Sequence, residues 1–186
     1  MKNILYFDLE HGSQTIGSNK DINKLFGFPE LEPSTFGEFQ DIIKQLYAPK
    51  KVESRVKIGD LEVKQTTRKV VPKSNTRIDG IVIDTVSELS KKYQRSLINQ
   101  EGMMQMKDWG KLKNTIDKLM DMLTTLPGIL ICNCHSKIQH MDDGGSKLVP
   151  YIDGSSKEDI SKWFDFVFYC KAKTNLKRET DYLWRT

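Results

Sequence analysis

The chain has 186 residues, of which 38% are apolar and 29% are charged, and its formal net charge is +4. This composition is typical of one globular domain over residues 1–186 and excludes a largely disordered chain. No apolar stretch approaches the roughly 20 residues of a transmembrane helix, and we expect no signal peptide. Three cysteines do not form a disulfide framework. The sequence therefore predicts a cytoplasmic protein without a membrane partner.

The first predicted element is a strand within KNILYFDLEHGS, residues 2–13. Its continuous apolar run, ILYF, is typical of a strand buried on both faces of a parallel sheet. This strand is followed by two carboxylates, Asp8 and Glu10. A helix is predicted next, with a start at Pro33-Ser34-Thr35, Glu38 as its capping partner and an end at Pro49.

Residues 50–77 form a basic insertion with nine basic and three acidic side chains, which gives a local charge of about +6. Gly59-Asp60 is a candidate hairpin turn. Because no aromatic residue follows Tyr47 in this stretch, it offers charge without a surface for base stacking. Sequence-independent contact with nucleic-acid phosphates is one interpretation, and a solvated hairpin is the other.

The segment IDGIVIDTVSEL, residues 78–89, predicts a buried strand that ends at Asp84, with Thr85 at the junction to a helix. That helix extends to about Asn99, and a second one extends from about Asp108 to Pro127-Gly128. The segment GILICNCHS predicts another strand, which ends near His135. The remaining elements are a long loop at 137–156, a strand at 163–173 and a last strand within TDYLWRT.

Strands that alternate with helices predict an α/β fold with a mostly parallel sheet flanked by helices. Ligands of such folds bind at the carboxyl ends of the strands. Three predicted strands end in Asp8 and Glu10, in Asp84, and in His135, so we expect the functional site there.

These motifs, in this order, resemble the RecA-like core of P-loop ATPases, of the phage nucleotide-binding type used in single-strand annealing and recombination. LYFDLEHGS is similar to the strand that ends in the catalytic glutamate, and GIVIDTVSEL is similar to the Walker B strand. ILICNCHSK is similar to the sensor strand before a mobile DNA-binding loop, and VPYIDGSSKEDISKWFDFVFYCKAK to the segment that leaves that loop. The resemblance covers most of the chain except residues 50–77.

The resemblance implies an ATP–Mg²⁺ site. Glu10 would orient or deprotonate the attacking water, Asp84 would hold Mg²⁺ mostly through water, and His135 would sense the γ-phosphate. Asp8 and Thr85 would complete the cofactor-binding set. The alternatives are a helix N-cap for Asp84, an exposed strand-end carboxylate for Glu10, and a histidine bonded to a neighbouring carbonyl for His135.

The resemblance also implies single-stranded DNA as a partner and a homo-oligomer. The candidate DNA contacts are basic residues of the insertion and of the loop at 137–156, namely Lys64, Arg68, Lys69, Lys137 and Lys147, with Lys157 after them and His140 or Tyr151 for stacking. The alternative is that this loop is simply solvated.

One motif of that family does not occur, because the sequence contains no G-x-x-x-x-G-K-[ST]. We therefore expect the middle of a RecA-like domain whose P-loop half would precede Met1 or come from a second chain. The leading hypothesis is a phage-type ATPase-family protein of DNA recombination, in the host cytoplasm if phage-encoded. The alternatives are an inactive core that binds DNA or protein, and a gene fragment without independent function.

Two further clusters have simpler interpretations. Cys132, Cys134, His135 and His140 lack the second ligand pair of a zinc site, which favours buried cysteines. Trp109 and the methionines at 103, 104 and 106 form either core or a protomer contact.

Overall fold

The computed structural model describes residues 3–12, 25–73, 75, 77–142, 144–153, 159–174 and 180–185. At positions 58, 65, 67–69, 172–174 and 180–185 it describes the backbone alone.

A three-stranded parallel sheet forms the centre of the fold. Its strands are β1 (Ile4–Asp8), β4 (Gly80–Asp84) and β5 (Ile129–Cys132), in that spatial order. The predicted apolar runs form these strands, because a parallel strand covered on both faces needs apolar residues throughout its length. The α/β class with a parallel sheet and flanking helices is therefore confirmed.

Three helices with fully described bounds accompany the sheet: α1 (Phe36–Leu46), α2 (Val86–Leu97) and α3 (Met106–Thr124). The predicted start of α1 is confirmed, since Thr35 is its N-cap and accepts a hydrogen bond from the Glu38 backbone N–H at 3.1 Å. This helix ends at Leu46, before Pro49, because the chain turns into a strand there. The ends of α2 and α3 lie within a few residues of the predicted ones.

The helices pack on the sheet face that carries Phe7 and Ile83, and their apolar residues form one core with it. The rings of Phe7 and Phe39 meet edge to face at 4.9 Å, and both side chains are fully buried. The opposite face carries Tyr6, whose ring stacks on Phe26 at 5.0 Å.

The basic insertion forms a two-stranded antiparallel ribbon, the β2–β3 ribbon, made of β2 (Tyr47–Ile58) and β3 (Leu61–Pro72). The predicted turn at Gly59-Asp60 joins the two strands. Gly59 has a φ of +61°, a conformation that glycine adopts without steric cost.

The prediction of a loop at 137–156 is wrong for most of its length. Residues in this stretch form an antiparallel hairpin of β6 (Ser136–His140) and β7 (Ser146–Pro150). Ile138 pairs with Leu148 on the exposed face of the hairpin, and Val149, on the opposite face, is buried. The end of the predicted loop, at 154–156, lies outside the described residues.

The strand predicted at 163–173 is shorter than expected and does not join the parallel sheet. Ile160–Trp163 form a turn of 3₁₀-helix, and among the described strands β8 (Tyr169–Thr174) pairs with β9 (Thr180–Arg185) alone. Phe166 and Phe168 are exposed, so this apolar run did not indicate a buried strand. The last predicted strand corresponds to β9.

Within the described residues, no helix combines the length and the apolar character needed to cross a membrane. Met103, Met106 and Trp109 are exposed, so the interpretation of these three as core residues is wrong. A protomer contact through them stays a prediction.

Candidate functional site

The predicted site residues meet at the carboxyl edge of the parallel sheet. Asp8 and Asp84 are the last residues of β1 and β4 and are register partners. Glu10 and His135 follow β1 and β5, and His135 Nε2 lies 2.7 Å from Glu10 Oε1 and 2.9 Å from Glu10 Oε2. Parallel strands place their carboxyl ends at one edge, which is why residues so distant in sequence come together.

The Glu10 side chain connects two of the strands that form this edge, because it contacts both His135 and Thr85. Its Oε1 also accepts a hydrogen bond from the Thr85 hydroxyl at 2.7 Å. The Glu10 side chain nevertheless keeps 30% of its surface exposed. Two neighbours therefore hold the carboxylate in place while water can still reach it.

Asp84 is held by two neutral donors. The Tyr6 hydroxyl donates to Oδ2 at 2.9 Å, and the Asn133 side-chain amide donates to Oδ1 at 3.2 Å. The alternative role as helix N-cap is wrong, because Thr85 caps α2 by accepting a hydrogen bond from the Glu88 N–H at 3.1 Å. Each carboxylate oxygen of Asp84 still has a lone pair for a further partner.

Asp8 is buried beneath the turn that carries Glu10. One of its carboxylate oxygens accepts the backbone N–H groups of Glu10 and Gly12, both at 3.1 Å. Asp8 thus shapes the loop after β1, and it adds a third negative charge at this edge of the sheet.

His135 links the acidic cluster to the β6–β7 hairpin. Its backbone N–H donates to Ser87 Oγ at 3.0 Å, and its carbonyl accepts the Tyr151 N–H at 2.6 Å. The imidazole contacts Glu10, so the alternative of a histidine bonded to a carbonyl is not what the structure shows. Because His135 precedes β6 and Tyr151 follows β7, both ends of the hairpin meet at this histidine.

The acidic residues fit the metal half of an ATP–Mg²⁺ site. Mg²⁺ usually keeps several waters and binds one or two protein carboxylates together with phosphate oxygens. Asp84 can supply such a carboxylate. In the described part of the chain no group of three or more His, Cys, Asp or Glu side chains forms a metal cage. The phosphate half does not fit, since the 186 residues contain no P-loop to hold a triphosphate against three carboxylates.

Burial raises the pKa of the Cys132 thiol to about 12. A thiol with this pKa carries almost no thiolate at neutral pH, and the thiolate is the form that binds zinc. The structure thus supports the interpretation of Cys132 as a packing residue. The expectation of a buried residue is wrong for Cys134, which lies beyond the end of β5 and is exposed.

The predicted nucleic-acid contacts lie on the two hairpins. Lys64 is exposed on β3, where Arg68 and Lys69 are described by their backbone alone, and Lys147 is exposed on β7. Lys137 Nζ lies 4.8 Å from the centre of the Tyr151 ring, and Lys91 Nζ lies 5.1 Å from the same ring. Lys157 lies outside the described residues. Lys91 and Lys137 therefore place their positive charges close to the Tyr151 ring.

Four further side chains belong to this region but were not predicted from the sequence as site residues: Tyr6, Asn133, Ser87 and Lys91. Tyr6 offered one signal, because a tyrosine hydroxyl within a buried apolar strand requires a hydrogen-bond partner at the end of that strand or beside it. Asn133 follows β5 directly, so its position at the carboxyl edge was also predictable once the strand was placed.

A family model described as an AAA domain (AAA_24) matches residues 1–184. This match covers nearly the whole chain and includes the basic insertion. Comparisons with curated proteins and with solved structures found no match.

Proposed function

Because the chain belongs to the AAA domain family, we propose that the carboxyl edge of β1, β4 and β5 is one half of an ATP–Mg²⁺ site. The protein would act in the cytoplasm as an ATPase-type protein on single-stranded DNA. Nucleotide and Mg²⁺ use are general features of AAA-type domains. The observation that carries the proposal is the contact of Glu10 with Thr85 and His135 beside Asp84. The assignment to recombination rests on the resemblance to phage annealing proteins.

Bound ATP–Mg²⁺ would supply the phosphoanhydride bond that is hydrolysed. With ATP–Mg²⁺ bound, Glu10 would orient the attacking water and would accept its proton at the carboxylate, which Thr85 holds in position. Asp84, which Tyr6 and Asn133 orient, would hold the metal through water. His135 would sense the terminal phosphate, and its backbone connects the site to the β6–β7 hairpin.

The phosphate-binding loop would come from outside these 186 residues, most simply from a second, different chain that carries G-x-x-x-x-G-K-[ST]. A second candidate function follows from the lack of G-x-x-x-x-G-K-[ST] in the sequence. It is a catalytically inactive core that binds DNA or a protein partner.

A nucleotide-binding experiment tests the first proposal. A fluorescent ATP analogue is titrated into the purified chain with and without Mg²⁺, and ATP turnover is measured with single-stranded DNA present. We expect Mg²⁺-dependent binding that Asp84→Asn weakens about tenfold, since one charged contact is lost. Glu10→Gln should keep this binding and should lose any ATP turnover that the unmodified chain shows once a P-loop is supplied.

Glu101→Gln, at an exposed glutamate outside the cluster, is the matched control. Binding that is insensitive to Asp84→Asn would contradict the metal assignment. No nucleotide binding at all, together with intact DNA binding, would favour the inactive core.

Single-stranded DNA would contact Tyr151, where a base stacks on the ring while Lys91 and Lys137 neutralise phosphates. Tyr151→Ala should weaken binding of a labelled single strand by about tenfold, as expected for one lost stacking contact. Tyr169→Ala, at another exposed tyrosine, is the control. Equal losses in both variants would remove Tyr151 as the contact.

A further inference from the structure

The register of the β2–β3 ribbon gives its two faces different compositions. The ribbon pairs Tyr47 with Pro72 through to Ile58 with Leu61 without interruption, so side chains alternate strictly between the faces. One face carries Val52, Val56, Leu61 and Val63, together with the Lys50–Lys69 pair near the base of the ribbon. The other face, the charged face, carries the remaining charged residues of the two strands, with Tyr47 and Val70 at its base.

The charged face is exposed and predominantly basic. The charged side chains that the structure describes on this face are all exposed. Four are basic and two are acidic: Lys51, Arg55, Lys57 and Lys64, and Glu53 and Glu62. In the described part of the ribbon, one ion pair joins Arg55 Nη1 to Glu62 Oε1, at 3.6 Å. Exposed ion pairs of this kind contribute little, so the face keeps an excess of positive charge.

Three pairs of basic residues lie directly opposite each other across the two strands. Two of them, Lys51 with Arg68 and Arg55 with Lys64, lie on the charged face, and the third, Lys50 with Lys69, lies on the face that carries the valines. Like charges in directly opposed positions destabilise a sheet. An isolated two-stranded ribbon is already marginal in water. A polyanion that lies along the ribbon would remove this repulsion, so the arrangement favours a ligand with regularly spaced negative charges.

The dimensions and composition of the ribbon fit a DNA duplex better than a single strand. Twelve residues per strand give a length of about 40 Å, close to one helical turn of B-DNA, about 35 Å. The major groove of B-DNA admits a two-stranded β-ribbon. Residues 48–77 contain no aromatic side chain. Proteins that bind single strands without sequence preference combine basic residues with aromatic stacking, which this ribbon lacks.

We propose that the β2–β3 ribbon is a double-stranded DNA-binding element that contacts phosphates without sequence preference. It is separate from the single-strand contact at Tyr151 and does not depend on the nucleotide chemistry proposed above. The protein would then hold duplex and single-stranded DNA on different hairpins. Duplex RNA is a poorer fit, because its major groove is deep and narrow.

The test is fluorescence anisotropy with a labelled DNA duplex, the matching single strand and an RNA duplex, each over a series of salt concentrations. The variant is Arg55→Gln/Lys64→Gln, and the control is Lys107→Gln/Lys118→Gln, which removes the same charge from exposed positions of α3. We expect the ribbon variant to bind duplex DNA about tenfold more weakly and to lower the slope of log K against log salt by about 2. The control should bind as the unmodified chain does.

A thermal melt separates this effect from unfolding. Removal of the opposed Arg55 and Lys64 charges should leave the melting temperature unchanged or raise it, while binding falls. Duplex affinity that the ribbon variant does not change would overturn the proposal. Tighter binding of the single strand than of the duplex, with a loss confined to the single strand, would also overturn it, as would equal affinity for duplex RNA.

Discussion

The hydroxyl of Tyr47 is buried at the start of β2 and has no hydrogen-bond partner among the described residues. A buried hydroxyl without a partner costs free energy that a phenyl ring does not. We predict that Tyr47→Phe raises the free energy of unfolding by about 1 kcal/mol, measured by denaturant titration. Tyr151→Phe, at an exposed ring, is the control and should change little. A destabilised Tyr47→Phe variant would show that this hydroxyl is satisfied in solution.

Because Tyr6 and Tyr47 are buried, we predict that the protein loses stability at alkaline pH. Burial raises the pKa of Tyr47 to about 12. Burial, followed by the hydrogen bond to Asp84, raises the pKa of Tyr6 above its usual value. In the unfolded chain tyrosine ionises near pH 10, so above this pH the unfolded state releases protons that the folded state keeps. The free energy of unfolding should therefore be unaffected by these groups below about pH 10 and should fall above it.

Tyr47→Phe removes one of the two contributions, so its decline between about pH 10 and 12 should be shallower than that of the unmodified chain. Unfolding curves recorded at several alkaline pH values measure both slopes. Parallel declines in the two proteins would contradict the raised pKa of Tyr47.

The residues of the acidic cluster could be placed from the sequence because each follows a strand that was itself recognisable. Glu10, Asp84 and His135 needed only the rule that parallel strands share a carboxyl edge. The donors around Asp84 could not be placed in the same way. Tyr6 is one tyrosine in an apolar run, and its hydroxyl position depends on ring packing against Phe26, which only the folded structure provides.

Threonine caps two of the helices, and the comparison between them isolates one contact of the site. Thr35 caps α1 at the surface, whereas Thr85 caps α2 and also donates to Glu10. We predict that Thr35→Ala lowers the free energy of unfolding by about 1 kcal/mol and Thr85→Ala by about 2 kcal/mol. Denaturant titration of the two variants measures the difference. Thr85→Ser keeps the hydroxyl and should restore most of the loss, and equal losses at Thr35 and Thr85 would contradict a stabilising contact with Glu10.

Elements with a strong local signal were predicted well, and those that depend on distant packing were not. The runs ending at Asp8 and Asp84 are apolar throughout and became sheet strands. The β6–β7 hairpin was missed because its strands are short and Ile138 and Leu148 remain exposed, so the pattern resembles that of a polar loop. The apolar run around Phe166 was misjudged in the opposite direction. It predicted a core strand, but no described neighbour buries its side chains.

At the scale of the whole molecule, the two edges of the parallel sheet differ. The outer edge of β1 is covered by Leu31, which exchanges hydrogen bonds with Tyr6 and Asp8. β5 is the last strand of the described sheet, so no described strand pairs with its outer edge. Its Ile129 and Ile131 side chains are about half exposed. An open apolar edge of this kind is a site for pairing with another chain.

We therefore predict concentration-dependent self-association in sedimentation velocity experiments, weakened by Ile131→Lys. Lysine on an edge strand opposes pairing, and the half-exposed position should tolerate it. Ile138→Lys, at an exposed isoleucine of β6, is the control. Association that persists unchanged in Ile131→Lys would place the contact elsewhere, for example at Met103, Met106 and Trp109.

The β2–β3 ribbon leaves the rest of the chain and returns to it at one point, because Tyr47 and Pro72 are register partners. Partners in an antiparallel ladder have Cα atoms only about 5 Å apart. A short bridge could therefore replace the part of the arm beyond Tyr47 and Val70, which pack in the core, and leave the core connected as before. Such a junction allows the appendage to change in length while the framework keeps its packing.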